Sequence, residues 1–350
     1  MKTSLLCLAA FFVVATALPL IREPYWWIRM FDFPRAQLAV LGVVTLGLML
    51  AFYERGSWPD YAVLGLVGLC LVFQLWRIWP YTGLHPVQSA PAAMTSSDRT
   101  FRLVVSNVLM DNRDSETWLR VIRDADPDMV VAVETDAWWA EQARALEAEW
   151  PHTVLEPLEN TYGMLVYSRW PLSETETRYL VQDDVPSMWG RVELPSGDRV
   201  RFAFIHPRPP RPDIQQDSEA RDAELVLVAR ELEGENGPVV VAGDLNDVAW
   251  SYTTRLFQRI SGLLDPRIGR GLYATFHADY PVMRWPLDHV FHSEDLQVIR
   301  IERLAHVGSD HFPIMIDLAY EPERSDEQAA PEADAEDQDA AEEILDKARE

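Results

Sequence analysis

Short apolar runs in this chain repeatedly end on, or open from, a side chain that can do chemistry. Asn107 follows residues 101–106, Glu134 follows 129–133 and His206 follows 200–205. Asp244 and Asn246 follow 239–242 in Gly-Asp-Leu-Asn, Asp288 and His289 open Leu-Asp-His-Val-Phe, and Asp310 and His311 precede the run at 314–318. A single Asp or Asn in such a place is most often a turn former. A whole series at run ends needs another reason, because strand ends along one edge of a sheet converge in space. Oxygen donors of the Asp, Glu and Asn type suit Mg²⁺ or Mn²⁺. Histidines beside them can move protons or hold a phosphate. Cys7 and Cys70 are the sole cysteines, so the middle of the chain has no thiolate for a zinc site.

The elements that must carry these residues are strands alternating with helices. Residues 101–106, 129–133, 163–167, 200–205, 239–242, 288–291, 298–301 and 314–318 read as strands, several short and apolar enough to be buried on both faces. Residues 116–125 and 138–150 read as helices, and 219–233 as a long amphipathic helix capped by Asp217 and Ser218. This order predicts one mixed α/β domain over 99–320, with two packed sheets flanked by helices. Alternation along its strand turns His289 away from Asp288, so His289 reads as structural. His277 and His292 belong to no motif and read as surface residues. Asn112 reads as a loop cap, and Arg169 is given no role.

The block resembles the endonuclease/exonuclease/phosphatase superfamily. The resemblance rests on Ser-Asn-Val (106–108), Val-Glu-Thr (133–135), Gly-Met-Leu-Val-Tyr-Ser (163–168), Ile-His-Pro (205–207), Gly-Asp-Leu-Asn (243–246), Leu-Asp-His-Val-Phe (287–291) and Ser-Asp-His-Phe-Pro (309–313), in family order. His-Pro-Arg-Pro-Pro after residue 205 is similar to a membrane-anchored bacterial subgroup. The resemblance implies a deoxyribonuclease I-like α/β sandwich and a Mg²⁺-dependent hydrolase of phosphate esters, with Mn²⁺ the other ion its donors suit. By position it implies metal ligation by Asn107, Glu134 and Asp310, with Glu134 central. Asp244 would orient or deprotonate the attacking water, and Asn246 would position the water and the phosphate. His311, held by Asp288, would contact the phosphate. His206 would donate a proton or a hydrogen bond. Phosphodiester cleavage needs a Lewis acid, an oriented water and protonation of the leaving group, and this set supplies them.

Residues 4–21, 36–53 and 61–76 carry no charged side chain. A membrane-spanning helix takes roughly 17 to 25 apolar residues, so the third run is short unless it continues to Trp79. Trp26, Trp27, Trp58, Trp76 and Trp79 lie at run ends, as an aromatic belt would. Buried helices of a soluble protein would need polar faces that these runs lack. Residues 1–80 therefore read as a multi-pass anchor and 81–98 as a linker. The first run also has the shape of a signal peptide, with Lys2 before it and Ala15-Thr16-Ala17 within it as a small-x-small cleavage site. Both readings favour an extracytoplasmic, periplasmic catalytic domain.

The charge is uneven. Residues 99–320 hold 22 basic and 37 acidic side chains and no lysine, and 321–350 hold 3 and 13. The last stretch reads as an acidic disordered tail. Gripping nucleic acid by its backbone calls for the opposite sign. The expected partners are thus a phosphate-ester substrate, either nucleic acid or a lipid headgroup, and the bilayer, with no protein partner. Arg208, Arg211 and Arg221 stand near His206 as candidate anion contacts. The rival from another class is a catalytically inactive, membrane-tethered interaction domain, which would show a gap among these positions; the sequence shows none.

Overall fold

The computed structural model describes residues 1–93, 97–213 and 215–349. Its first quarter is helical: α1 (Lys2–Ala17), a short α2 (Trp26–Arg29), α3 (Arg35–Phe52) and α4 (Trp58–Ile78), the last prolonged by a 3₁₀ turn to Tyr81. That prolongation settles the length of the third apolar run. Three helices, Lys2–Leu20, Arg35–Phe52 and Trp58–Tyr81, are long and apolar enough to cross a membrane. They pack on one another through Phe12, Leu38, Met49 and Val67. Their few polar groups are paired inside: Gln74 Nε2 donates to Thr16 Oγ1 at 3.1 Å, and Arg35 reaches Asp32 at 2.7 Å. Polar pairs of this kind tie helices together where no water is at hand.

The remainder is a sandwich. One sheet contains β1 (Thr100–Asn107), β2 (Met129–Val133), β3 (His152–Glu156), β4 (Met164–Ser168), β10 (Leu296–Arg303) and β11 (Ile314–Tyr320), ordered β10-β11-β1-β2-β4-β3. The other contains β5 (Leu172–Arg178), β6 (Ser187–Glu193), β7 (Arg199–Phe204), β8 (Val239–Asp244) and β9 (Asp288–His292), in that order. Their facing sides interdigitate through residues such as Phe101, Val131, Met164, Phe202 and Val240. α5 (Ser115–Ala125) and α6 (Ala137–Ala143) cover the outer face of the first sheet, driving Trp118, Trp139 and Trp150 into it. α7 (Glu219–Leu232), α8 (Tyr252–Ser261) and α9 (Ala335–Lys347) cover the second.

Three expectations fail here. The segment from residue 321 was expected to be solvated and unstructured, yet α9 lies on α7 and α8. Ala341 and Leu345 supply an apolar stripe, and Asp337 accepts two bonds of 2.7 Å from Arg259. Second, α7 is not amphipathic. It is wedged between sheet, α8 and α9, so even Arg221, Asp222 and Glu224 are buried. Third, His292 is fully buried, its Nε2 2.8 Å from Ser89 Oγ, because the segment expected to link anchor and domain packs beside β9 and β10.

Candidate active site

β1 runs parallel to β2, and β7 runs parallel to β8. β9 is antiparallel to β8, with Asp288 opposite Asp244, and β11 is antiparallel to β1. The carboxyl ends of β1, β2, β7 and β8 and the amino ends of β9 and β11 therefore meet at one edge of the sandwich. That edge collects Asn107, Glu134, His206, Asp244, Asn246, Asp288, Asp310 and His311.

Asp244 is the hub. Its Oδ2 accepts from Asn107 Nδ2 at 3.0 Å and lies 3.5 Å from His311 Nε2 and 3.8 Å from His206 Nε2. Asn107 Nδ2 also donates to Glu134 Oε1 at 2.8 Å, which joins the two sheets through one amide. On the far side His311 Nδ1 lies 2.7 Å from Asp288 Oδ2. Asn246 donates its backbone N–H to Asp244 Oδ1 and its amide to the Pro207 carbonyl, so it braces the turns that follow both β7 and β8. Glu134 and Asn246 both have left-handed backbones, with φ of 62° and 50°. Such conformations in non-glycine residues are costly and collect at functional sites.

Two glycines allow the strands to come this close. A Cβ on Gly243, whose φ is 147°, would overlap the Ile205 carbonyl oxygen. One on Gly163 would overlap the Thr135 carbonyl oxygen. These contacts lie next to Asp244 and His206 in one case and next to Glu134 in the other.

Burial dominates the electrostatics. It raises the Glu134 carboxyl to about 7 against the opposing pull of the Asn107 bond and His311, and it raises Asp244 as well. His206 is lowered to about 4 by burial, which outweighs the carboxylate of Asp244, so its ring is neutral near pH 7. Burial also acts to lower His311, but Asp288 and Asp244 outweigh it and raise this imidazole to about 10. The site thus holds one imidazolium among several carboxylates. Two buried atoms, Asp288 Oδ1 and His206 Nδ1, have no hydrogen-bond partner among the described residues.

These donors fit a hard divalent cation. Glu134, His206 and Asp244 bring ligand atoms within 4.8 Å of one another; Asp244, Asp288 and His311 do so too, but there the charged His311 ring is itself the cation beside the two carboxylates. Of the expected ligand trio, Asn107 and Glu134 touch, whereas Asp310 joins neither close group and lines the same cavity instead. His289 is buried against Arg267 and the Asp247 carbonyl, a structural role. Asn112 bridges the Val108 and Val307 carbonyls, and Arg169 pairs with Asp126 and Asp128. Of the arginines expected to meet an anion, Arg221 is buried on Asp222 and Asp247. It holds the Asn246 carbonyl at 2.9 Å, so it positions that loop and cannot reach a substrate. Arg208 is engaged by Asp184, and Arg211 lines the cavity.

Sequence reasoning missed Tyr162 and Phe276, whose rings lie 5.5 Å from His206 and 4.9 Å from His311. Neither sits in a motif that marks it. It also missed the cavity wall supplied by residues 26–34, which no spacing links to the strand ends.

The pattern describing the Endonuclease/Exonuclease/phosphatase family matches residues 104–311. No curated protein matches the chain. Among solved structures it is similar to an endonuclease/exonuclease/phosphatase from Beutenbergia cavernae DSM 12333, at 21% identity and a TM-score of 0.53, over 64% of this chain and 72% of that one. It is similar to D. rerio TDP2 complexed with single strand DNA product, at 15% identity and a TM-score of 0.52, over 63% and 99%. The human Nocturnin catalytic domain with bound sulfate anion shares 16% identity and a TM-score of 0.52, over 63% and 94%. At these identities the likeness is one of fold. Because the family pattern spans more than half of the chain and ends on His311 itself, this chain belongs to the endonuclease/exonuclease/phosphatase family of phosphoric ester hydrolases.

Proposed function

We propose that the protein is a membrane-anchored, Mg²⁺-dependent hydrolase of phosphate esters that acts by in-line attack of water. The observation that carries this reading is the placement of Asp244 between Asn107 and Glu134 on one side and His311 and His206 on the other. Asn107, Glu134 and Asp310 are the proposed metal ligands. Glu134, a buried carboxylate whose proton is held unusually tightly, is stabilised when a cation replaces that proton, and the same positive charge favours the ionised form of Asp244 beside it. Mg²⁺, or Mn²⁺ in its place, would supply Lewis-acid stabilisation of the charge that builds on the phosphoryl oxygens.

The chain's own groups do the rest. Asp244 orients the water and takes its proton as the water oxygen bonds to phosphorus. Asn246, braced by Pro207 and by the Arg221 contact, fixes the turn that holds Asp244 in line. The protonated His311, kept charged by Asp288, faces the phosphate and can protonate the leaving oxygen as its bond to phosphorus breaks. His206 is neutral and gives a hydrogen bond. Water thus ends as a phosphate O–H and the departing group as an alcohol.

The test uses the full chain in detergent with bis-p-nitrophenyl phosphate, in Mg²⁺ or in EDTA. Mg²⁺-dependent nitrophenolate release, lowered about 10²-fold or more in Asp244→Ala, is the expected result. Equal turnover in EDTA would overturn the mechanism. Absence of turnover together with absence of Mg²⁺ binding would leave the inactive interaction domain.

A further inference from the structure

The helical anchor does more than precede the sandwich. Lys2 Nζ lies 2.8 Å from Asp60, at the end of the bundle where α3 finishes and α4 begins. The opposite end, where α1 finishes, α3 begins and α4 finishes, is fastened to the catalytic domain. Tyr81 Oη donates to the Ala249 carbonyl and Trp250 Nε1 to the Asp32 carbonyl, each at 2.7 Å. The connection between α1 and α3 is held by backbone bonds from Trp26 to Gln216 and from Ser218 to Pro24. Gln37, in the first turn of α3, donates to the Val282 carbonyl at 2.8 Å, which places the loop around Val282 level with the start of a spanning helix.

Between these parts lies a cavity of about 640 Å³. One wall carries the catalytic groups Glu134, Asp244 and His311. The opposite wall is the anchor's own connection, through Trp26, Arg29, Met30 and Phe33, with Phe33 edge-on to Trp285 at 5.7 Å. Two exposed methionines line the cavity, Met30 at 49% and Met283 at 54%, and Val282, next to Met283 in the chain, is 77% exposed. Arg29 and Arg211 are the arginines among the described lining residues, and the charged His311 ring is the third cation. Arg29 is buried, 3.8 Å from Asp32, and its Nε has no hydrogen-bond partner among the described residues.

Resting on the hydrolase reading above, we infer that the substrate is a bilayer phospholipid, whose headgroup phosphate enters this cavity while its acyl chains stay among Met30, Val282 and Met283 at the membrane surface. A cavity with catalytic groups on one wall and the helical anchor on the other, with an apolar lip at the depth where the spans begin, matches an amphipathic molecule half in lipid and half in water. A nucleic acid strand matches poorly. It needs a run of phosphate contacts along a basic groove, and this lining offers two arginines in a domain with excess acid and no lysine. In the reaction water adds to phosphorus, one P–O bond to an alcohol breaks, and that alcohol leaves with a proton.

The experiment reconstitutes the full chain into phosphatidylcholine vesicles carrying phosphatidic acid, a monoester, or phosphatidylglycerol, a diester. The comparison substrates are the same headgroups on short, water-soluble chains, a single-stranded oligonucleotide and bis-p-nitrophenyl phosphate. The expected result is a kcat/KM for one vesicle lipid about tenfold or more above its short-chain form and above the oligonucleotide. Met30→Glu and Val282→Glu, each placing a charge on the apolar lip, should each lower the ratio of vesicle-lipid to bis-p-nitrophenyl phosphate turnover about tenfold. Faster cleavage of the oligonucleotide, or a ratio unmoved by both substitutions, overturns the inference and leaves the hydrolase reading standing. No Mg²⁺-dependent turnover of any substrate, bis-p-nitrophenyl phosphate included, overturns both.

Discussion

At the scale of single residues, the two imidazoles of the site do different work because their surroundings differ. Burial outweighs the Asp244 carboxylate at His206, which stays neutral, whereas His311 is clasped between Asp288 and Asp244 and stays charged. Removing the Asp288 charge as Asp288→Asn should therefore lower kcat, by roughly 10- to 100-fold, while thermal stabilisation by Mg²⁺ persists. Single-turnover kinetics beside melting curves separate the two effects. Glu134→Ala should do the reverse first: the rise in Tm on adding Mg²⁺ should vanish, because the buried carboxylate proposed as the central ligand is gone. Most of this constellation was legible in the sequence, since Asn107, Glu134, Asp244 and His311 each end or open a recognisable apolar run. Arg221 was misjudged because sequence proximity to His206 says nothing of which way a helix turns its side chains. Phe276 and Tyr162 were invisible, lying in loops whose course is set by tertiary packing.

Among the elements, β2 and β8 announced themselves, as did the sheet-edge strands β9 and β10, whereas the edge strands β3 and β5 and the interior β6 did not. β2 and β8 are unbroken Val-rich stretches, and β2 falls on its expected bounds. β5 reads Leu-Ser-Glu-Thr-Glu-Thr-Arg and shows no apolar period, because it is a sheet edge with its side chains largely in water. α7 carries a testable consequence of its burial. Burial raises Glu224 to about 8, and its Oε1 has no hydrogen-bond partner among the described residues. Below pH 4.5 the group is protonated in folded and unfolded chains alike. From there to about pH 8 the unfolded chain ionises while the folded one keeps its proton, so stability falls as pH rises, by about 1.4 kcal/mol per unit. Glu224→Gln should abolish this dependence, and its Tm advantage over the parent should grow between pH 5 and pH 8. α9 makes a second case. Leu345→Ala should cost about 2 kcal/mol or more if the acidic tail is docked as described, and nothing if it is solvated, as denaturant melts would report.

Over the whole molecule, anchor, sandwich and tail are continuous in structure. A fragment of residues 98–320 lacks α9 over the second sheet and Tyr81 beside Trp250. It should melt about 5 °C or more below a fragment of 81–350, by calorimetry. α1 packs on α3 and α4, with Ala15 and Thr16 buried in the bundle, which argues for its retention over cleavage as a signal peptide. An epitope tag placed before Met1 should accordingly remain on the mature protein, as a blot of membrane fractions would show. Three crossings would then leave that tag and the catalytic domain on opposite faces of the bilayer.

The closest approaches of backbone to backbone behind the site occur at Gly163 and Gly243, where there is room for hydrogen and nothing larger. A methyl group at either position would wedge a strand end away from its neighbour and carry Glu134, or Asp244 and His206, out of register with the rest. In a mutational screen these two glycines would score as active-site residues although no substrate atom ever meets them. The heritable precision of the site therefore rests as much on two places where nothing can be added as on the groups that react.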